Sequence, residues 1–194
     1  MSEIWFTADT HFSHANIIKY CGRPFASARE MDEALTTNWN EVVKERDSVF
    51  HLGDFAWWQL PVSKMRMLFD KLNGDKRLIL GNHDRLHQMK QLDWTWIKLA
   101  FDLPLGNRHS IWLSHYAHRS WNKAFHGAWH LYGHTHGRLP PYGLSCDIGV
   151  DCWDFRMVNL DTIREVMKRL SPPEKSDKTY MPWRGADALA LPIL

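Results

Sequence analysis

Five apolar runs in this chain end abruptly in amide, imidazole or carboxylate side chains. Ile4-Trp5-Phe6 leads into Asp9-Thr10-His11, and Val49-Phe50-His51-Leu52 into Gly53-Asp54. Leu78-Ile79-Leu80 leads into Gly81-Asn82-His83-Asp84, Ile111-Trp112-Leu113 into Ser114-His115, and His130-Leu131-Tyr132 into Gly133-His134-Thr135-His136. Short apolar runs bounded by such breaks read as buried strands. Between them the apolar period changes to that of a helix. Ser27 and Glu30 fit a capping box, and Met31, Leu35, Trp39 and Val42 predict an amphipathic helix over about 28–46. Pro61 opens a second helix with Met65, Leu68, Phe69 and Leu72 on its buried face, ended by Asn73-Gly74. A short helix over 85–92, capped by Asp84, and a strand over 94–103 follow. Asn107-Arg108 reads as a hairpin turn, 115–127 as an irregular segment, and 144–150 with 155–160 as a final β pair. Asp161 is expected to cap a last helix carrying Ile163, Val166, Met167 and Leu170. The domain is expected to span 1–170. The tail, 171–194, loses periodicity and is read either as mobile or as docked through Trp183.

Composition narrows the class. A chain of 194 residues with 44% hydrophobic residues suits one domain with its own core. A net charge of +2 gives no electrostatic case for a dedicated nucleic-acid or membrane binder. No apolar run approaches the roughly 20 residues that span a bilayer. Cys21, Cys146 and Cys152 have no zinc-ribbon spacing and are odd in number. Reduced thiols, with a strand starting at Ile4 and no leader pattern before it, lead to an expected cytoplasmic location. The unusual counts are twelve histidines and eleven tryptophans. His51 alternates with apolar neighbours and reads as a buried, hydrogen-bonded histidine rather than a ligand.

The five polar breaks carry metal-ligand chemistry. In α/β sheets, ligands bind beyond the carboxyl ends of the strands. Residues at i and i+2 of an extended segment point the same way, so Asp9 and His11 are expected to face one point, as are His134 and His136. The glycines before Asp54, Asn82 and His134 permit sharp turns and close approach.

Asp-x-His, Gly-Asp, Gly-Asn-His-Asp, a lone His after a strand and Gly-His-x-His, in that order, resemble the calcineurin-like metallophosphoesterase superfamily over about residues 4–158. Phe55-Ala56 stands where the Ser/Thr protein phosphatases continue Asp-Arg-Gly, so the likeness is to the small single-domain branch, reinforced by 9–17 and Arg23-Pro24-Phe25. The resemblance implies an α/β fold: a four-layer αββα sandwich of two mixed β-sheets flanked by helices.

Asp9, His11, Asp54, Asn82, His115, His134 and His136 are too many ligands for one ion and suit two. Mixed nitrogen and oxygen donors suit Mn, Fe, Zn or Ni, with Mn the first choice. By resemblance, Asp9, His11 and His136 hold one divalent ion, Asn82, His115 and His134 the other, and Asp54 bridges both. His83 matches the histidine that protonates the leaving group in the family. The implied activity is hydrolysis of a nucleotide-type or cyclic phosphodiester by a metal-bridging hydroxide. A phosphomonoesterase, a nuclease and a non-catalytic protein-interaction scaffold on the same fold are the alternatives. Candidate substrate contacts are His14, Asn16, Trp57 and His118; for each a purely structural role is the competing reading. The expected partner is a small phosphodiester or nucleotide, and a homo-oligomer is possible in principle.

Overall fold

The computed structural model describes residues 2–173. Two mixed sheets lie face to face. The first has strands β1 (Ile4–Thr7), β2 (Ser48–His51), β3 (Asp75–Ile79), β4 (Ile97–Lys98) and β9 (Val158–Asn159), in the order β4-β3-β2-β1-β9. The second has β5 (Ala100–Gly106), β6 (His109–Ser114), β7 (Trp129–Tyr132) and β8 (Ser145–Asp147), in sequence order. β1 to β4 are mutually parallel, as are β6 to β8; β9 and β5 run antiparallel to their neighbours.

Alternation along the strands builds two cores. Trp5, Val49 and Leu78 face helices α1 (Ala15–Cys21), α2 (Ala28–Val42) and α3 (Val62–Phe69), packing with Ile17, Met31, Leu35, Trp39, Met65 and Phe69. Phe6, Phe50 and Ile79 face the other way and meet Ile111, Leu113 and Leu131 of the second sheet. Each such side chain contributes roughly 1.5–3 kcal/mol by leaving water. Helix α5 (Leu160–Met167) adds Ile163 and Met167 to this inter-sheet core. A short 3-10 turn (Ala124–His126), with Trp121 and Ala128 beside it, packs against Trp112 of β6 on the outer side of the second sheet.

Local signals set most boundaries. Ser27 Oγ accepts the Glu30 N–H at 3.2 Å, while the Glu30 carboxylate takes the Ala26 N–H at 2.8 Å, so the box closes one residue early. α2 stops at Val42 rather than 46 because Val43 turns extended and Asp47 accepts the Lys44 N–H, along with that of Glu3 and the Trp5 indole. α3 ends at Phe69, before Asn73-Gly74.

Three expectations change. The apolar stretch 94–103 is two strands: β4 belongs to the first sheet and β5 to the second, with Leu99 at the crossing 78% exposed. It reads as one run because Trp96, Phe101 and Leu103 all join the inter-sheet core. The expected final β pair is split in the same way, β8 pairing with β7 and β9 with β1. Asn159, not Asp161, caps α5, its Oδ1 accepting the Thr162 N–H at 2.8 Å; Asp161 lies in the first turn and pairs with Arg164. The expected docking of Trp183 lies outside the described residues. Among those described, no helix is long and apolar enough to cross a membrane.

Candidate metal centre

Because β1, β2, β3, β6 and β7 are parallel within their sheets, their following loops emerge along one edge of the sandwich. There the backbone leaves ordinary conformations. Asp9, His11, Asp54, His134 and His136 all have φ between 49° and 69°. A non-glycine residue in the left-handed region costs on the order of 1–3 kcal/mol and persists only where its surroundings enforce it. The side chains therefore converge through left-handed turns, not through the strand-like alternation expected for Asp9/His11 and His134/His136. Gly133 illustrates the crowding: a Cβ there would lie 2.6 Å from Asp9 Oδ2 and from the Ala8 Cβ.

Two clusters gather the expected ligands, and a third, Cys21, His136 and Asp151, shares His136. Ligand atoms of Asp9, His11 and His136 lie within 4.8 Å of one another, as do those of Asp54, His115 and His134. Asp54 Oδ2 sits 3.6 Å from His11 Nε2 and 3.6 Å from His115 Nε2, so it borders both. Asn82 Oδ1 is 2.9 Å from His115 Nε2 and 2.9 Å from His134 Nδ1. Donors bound to one ion at about 2.1 Å stand about 3 Å apart at a right angle, which matches this spacing.

The chemistry of the donors fits cations. Asp9 Oδ1 and both ring nitrogens of His11 are buried with no hydrogen-bond partner among the described residues. Such orphans are costly unless an ion or water meets them. Burial, with Asp54 and Asp147 nearby, holds the Asp9 carboxyl well above its usual range. Burial also pushes His11 well below an ordinary histidine, helped by Arg23, and lowers His115 and His134. A dication at these positions reverses that balance, favouring carboxylate and neutral imidazole together. His136 differs: burial works against its charge, but hydrogen bonds to Asp151 and Cys21 and the Asp9 carboxylate outweigh it and bring it up to about 10.

Three buried or partly buried aspartates hold the loops. Asp84 accepts the N–H groups of Gly81, Asp54 and Phe55 at 2.8–3.0 Å, tying two loops together. It caps no helix, since α4 (Leu86–Met89) begins after Arg85 without a side-chain cap, and its carboxylate is spent on backbone rather than on His83. Burial and Asp54 raise its carboxyl to about 6. Asp147 takes the Thr135 hydroxyl and the N–H groups of Gly137 and Gly149. Asp151 takes His136 Nδ1 and Arg23. Neither Asp147 nor Asp151 stood out in the sequence. Their signal was the carboxylate at the end of β8 and another four residues on, in a run without histidines.

The remaining candidates are placed as follows. The His83 N–H donates to Asp54 Oδ1 at 2.8 Å, and its ring stands 5.1 Å from that of His11. His14 is buried and stacks on Trp57 at 4.1 Å; among the described residues no hydrogen bond holds its ring, and burial, then His83 and Arg23, lower it to about 4. Trp57 is half-buried with its other contact to Trp58. Asn16 is exposed on α1. His118 is drawn away from the clusters: its Nδ1 accepts the Trp112 indole N–H and its backbone N–H donates to His130. Tyr116, half exposed, packs edge-on against His134 at 4.6 Å.

A family model described as calcineurin-like phosphoesterase matches residues 2–99. The chain belongs to this family. It is a metal-dependent phosphoesterase with the family's two mixed sheets and flanking helices. An uncharacterized protein of Methanocaldococcus jannaschii is 34% identical over 87% of this chain and 93% of its own length. The gene 66 protein of Mycobacterium phage D29 is 30% identical over 86% of this chain and 96% of its own. In structure, a protein of unknown function from Aquifex aeolicus superposes with a TM-score of 0.69 at 22% identity, covering 86% of this chain and 100% of that one; this likeness concerns the fold. The phosphoesterase family implies divalent metal ions, and the two clusters are candidate groups to hold them.

Proposed function

We propose that this phosphoesterase hydrolyses a phosphodiester of nucleotide type, with Asp9, His11 and His136 holding one divalent ion, Asn82, His115 and His134 a second, and Asp54 shared between them. The observation that carries this reading is the Asp54 carboxylate oxygen, 3.6 Å from a nitrogen of each cluster. Divalent ions held there would supply an activated water and offset charge on the phosphoryl oxygens. Manganese is the first candidate, since the donors are imidazole, carboxylate and amide with no thiolate among the seven.

The protein's own groups do the rest. Asp54 is oriented by the His83 N–H and by Asp84. His115 donates Nδ1–H to the Leu52 carbonyl at 2.8 Å, which leaves Nε2 facing the site as a lone pair. His83 stands beside both His11 and His14, at the rim of the first cluster, and is the group to give a proton to the leaving oxygen. A diester is favoured over a monoester by charge. The arginine felt at His11 and His14 is Arg23, whose guanidinium is consumed by Asp151 and by the Asp9 and Thr10 carbonyls. It offers nothing to the second negative charge of a monoester. Trp57 and Tyr116 give aromatic surfaces on two sides, suited to a base.

The test compares bis-p-nitrophenyl phosphate and 2′,3′- and 3′,5′-cyclic nucleotides with p-nitrophenyl phosphate on protein loaded with Mn, Ni, Co or Zn. Faster turnover of a diester supports the proposal. Faster turnover of the monoester makes the protein a phosphomonoesterase, and no turnover with any metal sinks both.

A further inference from the structure

We infer that Arg23 and Asp151 form a brace that presets one metal position only, the one built from Asp9, His11 and His136. The inference rests on the two-ion reading above. Arg23 comes from the Arg-Pro-Phe segment after α1, and its side chain is fully buried. Its Nε donates to Asp151 Oδ1 at 2.8 Å and its Nη2 to Asp151 Oδ2 at 2.7 Å, a two-point fork between residues 128 apart in sequence. The same guanidinium reaches the first ligand-bearing loop: Nη2 donates to the Asp9 carbonyl at 2.7 Å and Nη1 to the Thr10 carbonyl at 3.1 Å. Asp151 Oδ2 also accepts Nδ1–H of His136 at 2.7 Å.

One guanidinium thus locks the backbone that carries Asp9 and His11 to the carboxylate that carries His136. The bond to Asp151 keeps a proton on Nδ1, so only Nε2 of His136 is free to take an ion beside Asp9 and His11. Carboxylate partners of metal-binding histidines set ring orientation and basicity in this way. Lysine cannot replace the fork, since an ammonium is a point charge that meets neither two carboxylate oxygens nor two carbonyls in fixed directions. The other position has supports of its own, Leu52 O on His115 and Asp84 on the Gly81 turn, and meets the braced one where the His134 N–H donates to Asp9 Oδ2 at 2.8 Å. A defect in the brace should therefore weaken one ion and spare its neighbour.

Calorimetric titration of metal-stripped protein with Mn²⁺ reads both sites without reference to turnover. The wild type is expected to take two equivalents. Arg23→Lys and Asp151→Asn are expected to keep one at wild-type affinity and weaken the other by about 10–100-fold. Arg23→Met/Asp151→Leu removes both charges together, leaves no lone buried ion, and reads the same quantity should a single variant unfold. Nitrogen NMR of the Zn²⁺-loaded wild type should show the His136 proton on Nδ1 and the metal on Nε2. Two wild-type affinities in the folded variants, equal weakening of both equivalents, or a metal on Nδ1 of His136 would each overturn the brace while leaving the two-ion reading standing. No uptake by the wild type would overturn both.

Discussion

Histidines are buried in two regions of this protein, the strand interiors and the loops beyond the strand ends, and they are treated in opposite ways. His51 of β2 and His130 of β7 are fully buried, and each has both ring nitrogens matched. His51 Nδ1 accepts the Gly53 N–H at 3.2 Å, and Nε2 meets the Thr10 hydroxyl at 2.9 Å, which itself donates to the Phe55 carbonyl. His130 Nδ1 donates to the Trp112 carbonyl and Nε2 accepts the His118 N–H, both at 3.0 Å. His11 is equally buried, yet neither of its nitrogens has a partner among the described residues. Burial alone does not mark a ligand. Unspent lone pairs on a buried ring and a strained backbone set His11 apart, whereas His115, also buried, meets the Leu52 carbonyl and Asn82 Oδ1.

The sharpest way to break this comparison is to remove one histidine from each region. His11→Ala should abolish tight uptake at one metal position and cut turnover by on the order of 10³-fold or more, the several kcal/mol an ion contributes to the transition state. His130→Ala should leave two equivalents of metal bound. Equal loss of metal in both, by titration, would erase the distinction. His83→Ala comes next: turnover should fall by about 10²–10⁴-fold while metal uptake persists, if the ring acts on the leaving group rather than as a ligand.

A smaller effect separates the regions by pH. Burial lowers His130 from 6.5 to about 4, against the help of its bond to the Trp112 carbonyl. Below 6.5 the unfolded chain takes up a proton that the folded one refuses, so stability falls as pH drops from 6.5 and levels off below 4. The loss over that window is about 3 kcal/mol from this one group. Denaturant unfolding at stepped pH should show the slope in wild type and a shallower one in His130→Gln. An unchanged slope would place the proton elsewhere. The smallest expected effect is that of Asp147→Asn. It loosens the His134–His136 loop and should weaken metal uptake by about 10–100-fold without loss of fold.

Much of the site was legible as residue types and much of its support was not. The seven candidate donors and His83 were marked by apolar runs that stop at polar residues, because a strand end is where buried chain meets an open edge. The left-handed turns that aim them were not legible, since the same Asp-x-His reads as alternation until φ is known. Asp147, Asp151 and the role of Arg23 escaped for a different reason. Each reaches into a loop other than its own, and the partners a side chain finds there leave no pattern in its own neighbourhood. His118 reads as a free histidine in a basic loop because the sequence gives no sign of the Trp112 and His130 contacts that hold it.

By itself the sequence determined which residues are apolar, roughly where most strands and the longer helices lie, and which donor types are present, because these follow from side-chain chemistry and short-range periodicity. It could not assign 94–103 or the last two strands to their sheets, since an apolar strand suits either face of the shared core. Only the tertiary structure decided that Asp54 stands between two clusters and that Arg23 reaches Asp151. Those contacts join loops from different strands, and their geometry is set by how the two sheets stack.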